Sequence, residues 1–234
     1  AVELNRQIYG TDHPDTLRSM VLLGMVLAET GHAESVPMLR ETLTISRRVY
    51  GEEHAFVAEA LGELAFSLWA AARPPQWDEA DAAYGQSVAL FHKTVGAEHR
   101  DLARTLTGFA SMNKARNRGA EAEEQYRQAC DMSNRLLGDA HQFTLECRMG
   151  LSEVLVDLGR LDEAQAILDE LRPRAERQFG ARMMPAILRR TVYLQMARFQ
   201  YEDAEHTLFE IQATVCERFA KEHPEHAARY SALA

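Results

Sequence analysis

Apolar and small residues recur along the chain at helical intervals, in stretches of two alternating kinds. Leu17, Val21, Gly24 and Ala28 stand four and three apart, as do Leu61, Ala65, Leu68 and Ala72, so each set forms one stripe of a helix. The second kind carries a small residue, a larger one four later and another apolar or small one three beyond. Its instances are Ser35/Leu39/Thr42, Ala80/Tyr84/Ser87, Ala122/Tyr126/Ala129, Ala164/Leu168/Leu171 and Ala204/Leu208/Ile211. The small leading residue lets two helices of a hairpin approach closely. Short breakers separate the two kinds: Thr30-Gly31-His32, Arg73-Pro74-Pro75-Gln76, Asn117-Arg118-Gly119 and Leu158-Gly159-Arg160. The pattern predicts ten helices in five antiparallel pairs, with breaks near residues 31, 74, 118, 159 and 200 and no strand. Pro173 lies well inside one predicted helix, where it removes a backbone hydrogen bond and clashes with the preceding turn, so a kink or an early end is expected there.

The stretches repeat as units. An aromatic or aliphatic residue followed by glycine recurs as Tyr9-Gly10, Tyr50-Gly51, Val95-Gly96, Leu137-Gly138 and Phe179-Gly180, the glycines lying 41, 45, 42 and 42 residues apart. Four are followed three residues later by His13, His54, His99 and His141, and Phe219-Ala220 with His223-Pro224 is a weaker sixth instance. The extra residues of the second unit fall in its Pro-Pro turn, where an insertion disturbs packing least.

The repeated Gly-x-x-His start, the segment Gly159-Arg160-Leu161-Asp162-Glu163-Ala164 and the segment from Ser35 to Leu43 resemble tetratricopeptide repeats. The 42-residue period is similar to the longer subtype of kinesin light chains and many bacterial signalling proteins. This resemblance implies an all-α fold, a right-handed superhelical α-solenoid of five antiparallel helix pairs filling residues 1–234 as one domain. Residues 1–10 would be the end of a preceding helix, repeats would span about 11–51, 52–96, 97–138, 139–180 and 181–220, and 221–234 would form a capping helix. Because Glu3 to Gly10 resembles the end of a second helix whose first helix is missing, and solenoid ends need polar caps, a fragment of a larger protein is expected.

Composition narrows the function classes. The 234 residues carry 26 basic and 35 acidic side chains, a net charge of -9 that opposes binding to nucleic acid phosphates. No apolar run is long enough to span a bilayer, and the N-terminus lacks a secretory layout. Cys130, Cys147 and Cys216 are odd in number and share no metal-ligand spacing, which points to reduced thiols and a cytoplasmic location. Cys130 and Cys147 are expected in consecutive helices as buried, inert thiols. The recurring histidines fall just before first helices, where local hydrogen bonding at a helix start is their expected work. His32, His92, His206 and His226 show no metal-binding spacing, and no phosphate loop, nucleophile elbow or Cys-x-x-Cys is present. The expectation is therefore no enzyme, no cofactor and no metal.

The resemblance places the functional surface in the groove lined by first helices. In the family register Arg18, Val21 and Met25, then Glu59, Gly62, Phe66 and Trp69, then Arg104, Thr107, Ser111 and Lys114 point inward. They are followed by Glu146, Met149, Glu153 and Val156, and by Arg189, Tyr193 and Met196. The expected partner-binding residues are Arg18, Met25, Phe66, Trp69, Arg104, Lys114, Glu153, Arg189, Arg190 and Tyr193, since aromatic, Met and Arg side chains dominate protein interfaces. Phe66, Trp69 and Tyr193 have the alternative of packing inside the hairpins. The asparagines by which light-chain-like grooves commonly clamp a peptide are absent at the corresponding places. Arg18, Glu59, Arg104 and Glu146 alternate in sign, as a self-neutralising ladder or as charges held for a partner, with Arg189 and Arg190 as its unpaired end. The function expected is a non-catalytic scaffold that binds a peptide or protein segment in its concave groove. The alternative is a sensor of a small peptide or metabolite that controls an attached kinase or nucleotide-switch enzyme. A third reading is a structural array filled by its own flanking segments or by self-association.

Overall fold

The computed structural model describes residues 2–222, which form eleven α-helices and one 3-10 turn with no strand among them. They fall into two units, divided between Asn117 and Arg118. The first holds α1 (Val2–Tyr9), α2 (Pro14–Glu29), α3 (Ser35–Tyr50), α4 (Ala55–Ala70), α5 (Trp77–Thr94) and α6 (Arg100–Ala115). The second holds α7 (Gly119–Leu137), α8 (Gln142–Asp157), α9 (Leu161–Phe179), a 3-10 turn (Gly180–Arg182), α10 (Met184–Ala197) and α11 (Tyr201–Glu222). The helix ends fall at all five expected breaks. The capping helix expected over 221–234 lies, apart from its first two residues, outside the described residues.

Four of the first helices, α2, α4, α6 and α8, start the same way, while α10 has no side-chain cap. The ring Nδ1 of His13, His54, His99 and His141 accepts a hydrogen bond from the backbone N–H two residues on, at 3.2, 3.1, 3.2 and 3.2 Å. One of the donors left over at the helix N-terminus is thereby satisfied, a task usually given to Ser, Thr, Asp or Asn. The aromatic residue of the motif holds the ring in place: Tyr9 stacks on His13 at 4.7 Å and Tyr50 on His54 at 4.5 Å. Where Val95 replaces the aromatic, Phe91 from one turn earlier takes over at 5.8 Å from His99. The intervening Gly10, Gly51, Gly96 and Gly138 all have φ between 82° and 88°, a region that glycine enters without a Cβ penalty.

In the first unit α4 is the central helix, buried on nearly every side between α2, α3, α5 and α6. Val57, Leu61, Leu64 and Leu68 of α4 meet Val36 and Leu39 of α3 and Tyr84 of α5 in one core. A smaller cluster joins Leu17, Met20 and Val21 of α2 to Ile45 and Phe56. Each of these side chains contributes about 1.5–3 kcal/mol on leaving water. Small residues set the helix distances: a Cβ on Gly24 would lie 2.6 Å from Leu39 Cγ, and one on Gly62 2.9 Å from Thr105 Oγ1. The second unit repeats the device, with Gly150 of α8 against the ring of Tyr126 in α7.

Of the kink or early end expected at Pro173, the structure answers the second. The early end foreseen at Pro173 does not occur, and α9 runs on to Phe179. Leu171 and Ala175 on either side are fully buried, so packing holds the turn that proline weakens, while Pro173 itself faces solvent.

Candidate functional site

Three successive first helices of the first unit, α2, α4 and α6, enclose a cavity of about 230 Å3. Met25 and Glu29 come from α2, Glu63 and Phe66 from α4, and Arg104 from α6, while Tyr84 reaches in from α5. Two glycines keep it open. A Cβ on Gly108 would stand 2.7 Å from the Tyr84 hydroxyl, and the Gly62 contact with Thr105 brings α4 and α6 together at the floor. Trp69 lies behind this wall, donating its indole N–H to the Tyr84 hydroxyl at 3.3 Å and stacking on Trp77. Phe66 meets Trp69 edge to face, with ring centroids 5.6 Å apart.

The charges are concentrated at one end. Arg104 Nη2 stands 3.2 Å from Glu59 Oε1, 3.2 Å from Glu63 Oε1 and 3.7 Å from Asp101 Oδ1. Its Nη1 lies 3.7 Å from Met25 Sδ. Glu63 is only 8% exposed, and burial pushes its carboxyl up to about 7 against the pull of Arg104, with Glu59, Glu29 and Asp101 adding in the same direction as burial. Burial and the Asp101 charge likewise raise Glu59, which Arg104 and Arg18 pull back. Burial works against the Arg104 charge, but the three carboxylates outweigh it and hold the guanidinium protonated.

Of the expected residues, Met25, Phe66 and Arg104 thus line one cavity. Arg18 is exposed on α2 and acts on Glu59 through its charge, Trp69 is packed behind the wall, and Lys114 lies half-buried at the end of α6. In the second unit Arg190 of α10 pairs with Glu153 of α8 at 2.7 Å. Arg190 is therefore not the unpaired cation expected, because adjacent first helices place a carboxylate opposite it. Arg189 is exposed and makes no ion pair among the described residues. The Tyr193 hydroxyl donates to Asp157, a bond that together with burial pushes the phenol up to about 12, and the ring stays 43% exposed.

Sequence reasoning missed Glu29 and the burial of Glu63. The available signal was that α4, otherwise the most apolar helix, carries two carboxylates four residues apart, Glu59 and Glu63, on one face. Cys130 and Cys147 are buried, and a hydrogen bond between them together with burial pushes the Cys130 thiol up, which leaves it a poor nucleophile. Among the described residues no three His, Cys, Asp or Glu side chains gather in a metal-binding group, and no helix is long and apolar enough to cross a membrane.

Two tetratricopeptide-repeat family models match residues 16–55 and 75–135, and that of the suppressor of spindle checkpoint defect 1 C-terminal domain matches residues 120–222. No curated protein matches the chain in sequence. Among solved structures it is similar to a Podosopora anserina protein described as a kinesin light chain with nearly identical TPR-like repeats. There the identity is 22%, with 88% of this chain and 98% of that chain covered at a TM-score of 0.69. A variant of the same protein gives 24% identity, 91% and 98% coverage and a TM-score of 0.70. BtubC (BKLC) from P. vanneervenii is 15% identical over 93% of this chain and 87% of that chain, with a TM-score of 0.76. At these identities the match is one of fold.

Proposed function

We propose that this chain, parts of which match tetratricopeptide-repeat models and which shares its fold with kinesin-light-chain-like arrays, is a non-catalytic scaffold holding a peptide or protein segment against its first helices. Repeats of this family generally mediate protein–protein interaction. The observation that carries the reading is the cavity built from three successive first helices, with aromatic, methionine and arginine side chains on its walls. In the first unit Arg18, Met25, Phe66 and Arg104 form the binding stretch. In the second, Glu153, Arg189, Arg190 and Tyr193 form another.

The test is affinity capture from the native cell with the wild-type chain and with the Met25→Ala/Phe66→Ala double variant. A partner bound through this face should be lost or weakened by about 1–4 kcal/mol in the variant, with its helicity unchanged by circular dichroism. Recovery of the same partners at the same affinity by both would defeat the assignment of the face.

A further inference from the structure

The cavity of the first unit is short of positive charge. Four carboxyl groups act on its charged end: Glu59 and Glu63 of α4, Asp101 of α6 and Glu29 at the end of α2. Against them stand Arg104, whose single Nη2 is shared among Glu59, Glu63 and Asp101, and Arg18 of α2, which acts on Glu59 from the surface. Two other cavities do not show this imbalance. In the second unit Arg127 and Arg148 face Asp131 and Glu170, and between α3, α4 and α5 Arg47 and Lys93 face Glu52 and Glu53. The remaining walls are suited to an alkyl stem, since Met25, Phe66 and Tyr84 present apolar surface leading in towards Glu63. Size also discriminates. A cavity of about 230 Å3 is smaller than the ~300–1,000 Å3 of sites that enclose a whole small-molecule ligand, so a single side chain suits it better.

We propose that this cavity is a specificity subsite which takes one lysine or arginine side chain of the bound segment, its stem along Phe66 and Met25 and its cationic head between Glu63 and Glu29. The inference rests on the reading that the first-helix face binds a protein segment. An ammonium or guanidinium group there supplies the charge that one shared arginine does not, whereas an acidic side chain would meet like charge. The carboxyl of Glu63, raised to about 7 when the cavity is empty of a cation, is pulled down by the bound head and releases its proton. Affinity therefore rises from pH 6 to pH 8. The charged groups facing Glu63 in this window are Glu29 of α2, Glu59 of α4, and Asp101 and Arg104 of α6.

The experiment pans a random library of displayed 12-residue peptides against the full chain and resynthesises the enriched peptides. Expected are peptides with a shared lysine or arginine. Replacing that residue with norleucine should weaken binding about tenfold or more, and Glu63→Gln should do the same, with no further loss when both changes are combined. Wild-type affinity should climb between pH 6 and pH 8 while that of Glu63→Gln stays flat. Glu29→Gln, at the exposed lip, provides a second variant with the same expected direction should Glu63→Gln fold poorly. Peptides that depend on Phe66 and Met25 but carry no common basic residue, and that ignore both glutamate substitutions, would overturn the subsite and leave the face intact. Peptides indifferent to Phe66 and Met25, or no enrichment at all, would overturn the reading of the face and the subsite with it.

Discussion

Glu63 shows how one residue can carry a cost that its neighbours only partly offset. Its carboxyl sits in the most buried of the described helices and reaches a single shared guanidinium. Because its folded-state pKa of about 7 lies above the ordinary 4.5, it binds more protons folded than unfolded between those values. Stability should thus fall as pH rises from about 5 to 8, by on the order of 1–3 kcal/mol from this group. Glu63→Gln should flatten that fall, which urea unfolding across the range would reveal; parallel curves for the two proteins would contradict the burial. Packing at glycine gives a sharper test. A Cβ at Gly150 would lie 2.3 Å from Tyr126 Cε1, inside a buried ring that has nowhere to move, so Gly150→Ala should cost about 1–3 kcal/mol. At Gly85, exposed on α5 with nothing within 4 Å, the same substitution should stabilise by about 0.5–1 kcal/mol. Thermal melts of the two variants should move in opposite directions.

Four first helices begin on a capping histidine, and the rings of His13, His54 and His99 also stack on an aromatic neighbour. His54→Ala removes the acceptor for Phe56 N–H and the ring face that Tyr50 covers, and should cost about 0.5–2 kcal/mol. His54→Asn, which keeps an acceptor but not the ring, should recover part of that loss in chemical denaturation; equal losses would assign the role to stacking alone. Between elements, ion pairs link successive second helices. Arg6 of α1 meets Glu41 of α3 at 3.0 Å, and Arg40 of α3 meets Glu79 of α5 at 2.7 Å. Arg127 of α7 meets Glu163 of α9 at 3.4 Å, and Arg172 of α9 meets Glu210 of α11 at 2.5 Å. These are exposed pairs, each contributing about 0–1 kcal/mol, so they favour register more than stability. The charge alternation noticed in the first helices survives in the first unit as the Glu59–Arg104 contact.

At the scale of the whole chain, burial is unevenly shared within each unit. In the first, α4 buries 11 of its 16 residues and α1 none; in the second, α8 buries 9 of 16 and α11 only 2 of 22. Local opening is cheapest where least apolar surface is lost to water, so amide exchange should be slowest in α4 and α8 and fastest in α1 and the second half of α11. Protection of α1 equal to that of α4, measured by hydrogen exchange with mass spectrometry, would contradict this ordering. Much of this architecture was legible from local pattern. Leu61, Ala65, Leu68 and Ala72 all prove buried, the glycine turns take positive φ, and the motif histidines cap, because periodicity, caps and turns are decided by residues a few positions apart. The charged end of the cavity was not legible. Arg104 lies 45 residues from Glu59 and 79 from Met25, and whether such groups meet, and how much water they lose, depends on how helices from three repeats pack. The sequence by itself therefore determined the repeat, the helices and their starts. Only the tertiary structure decided that Glu63 is buried with a fraction of one arginine for a partner, since desolvation is a property of the neighbours a side chain acquires on folding.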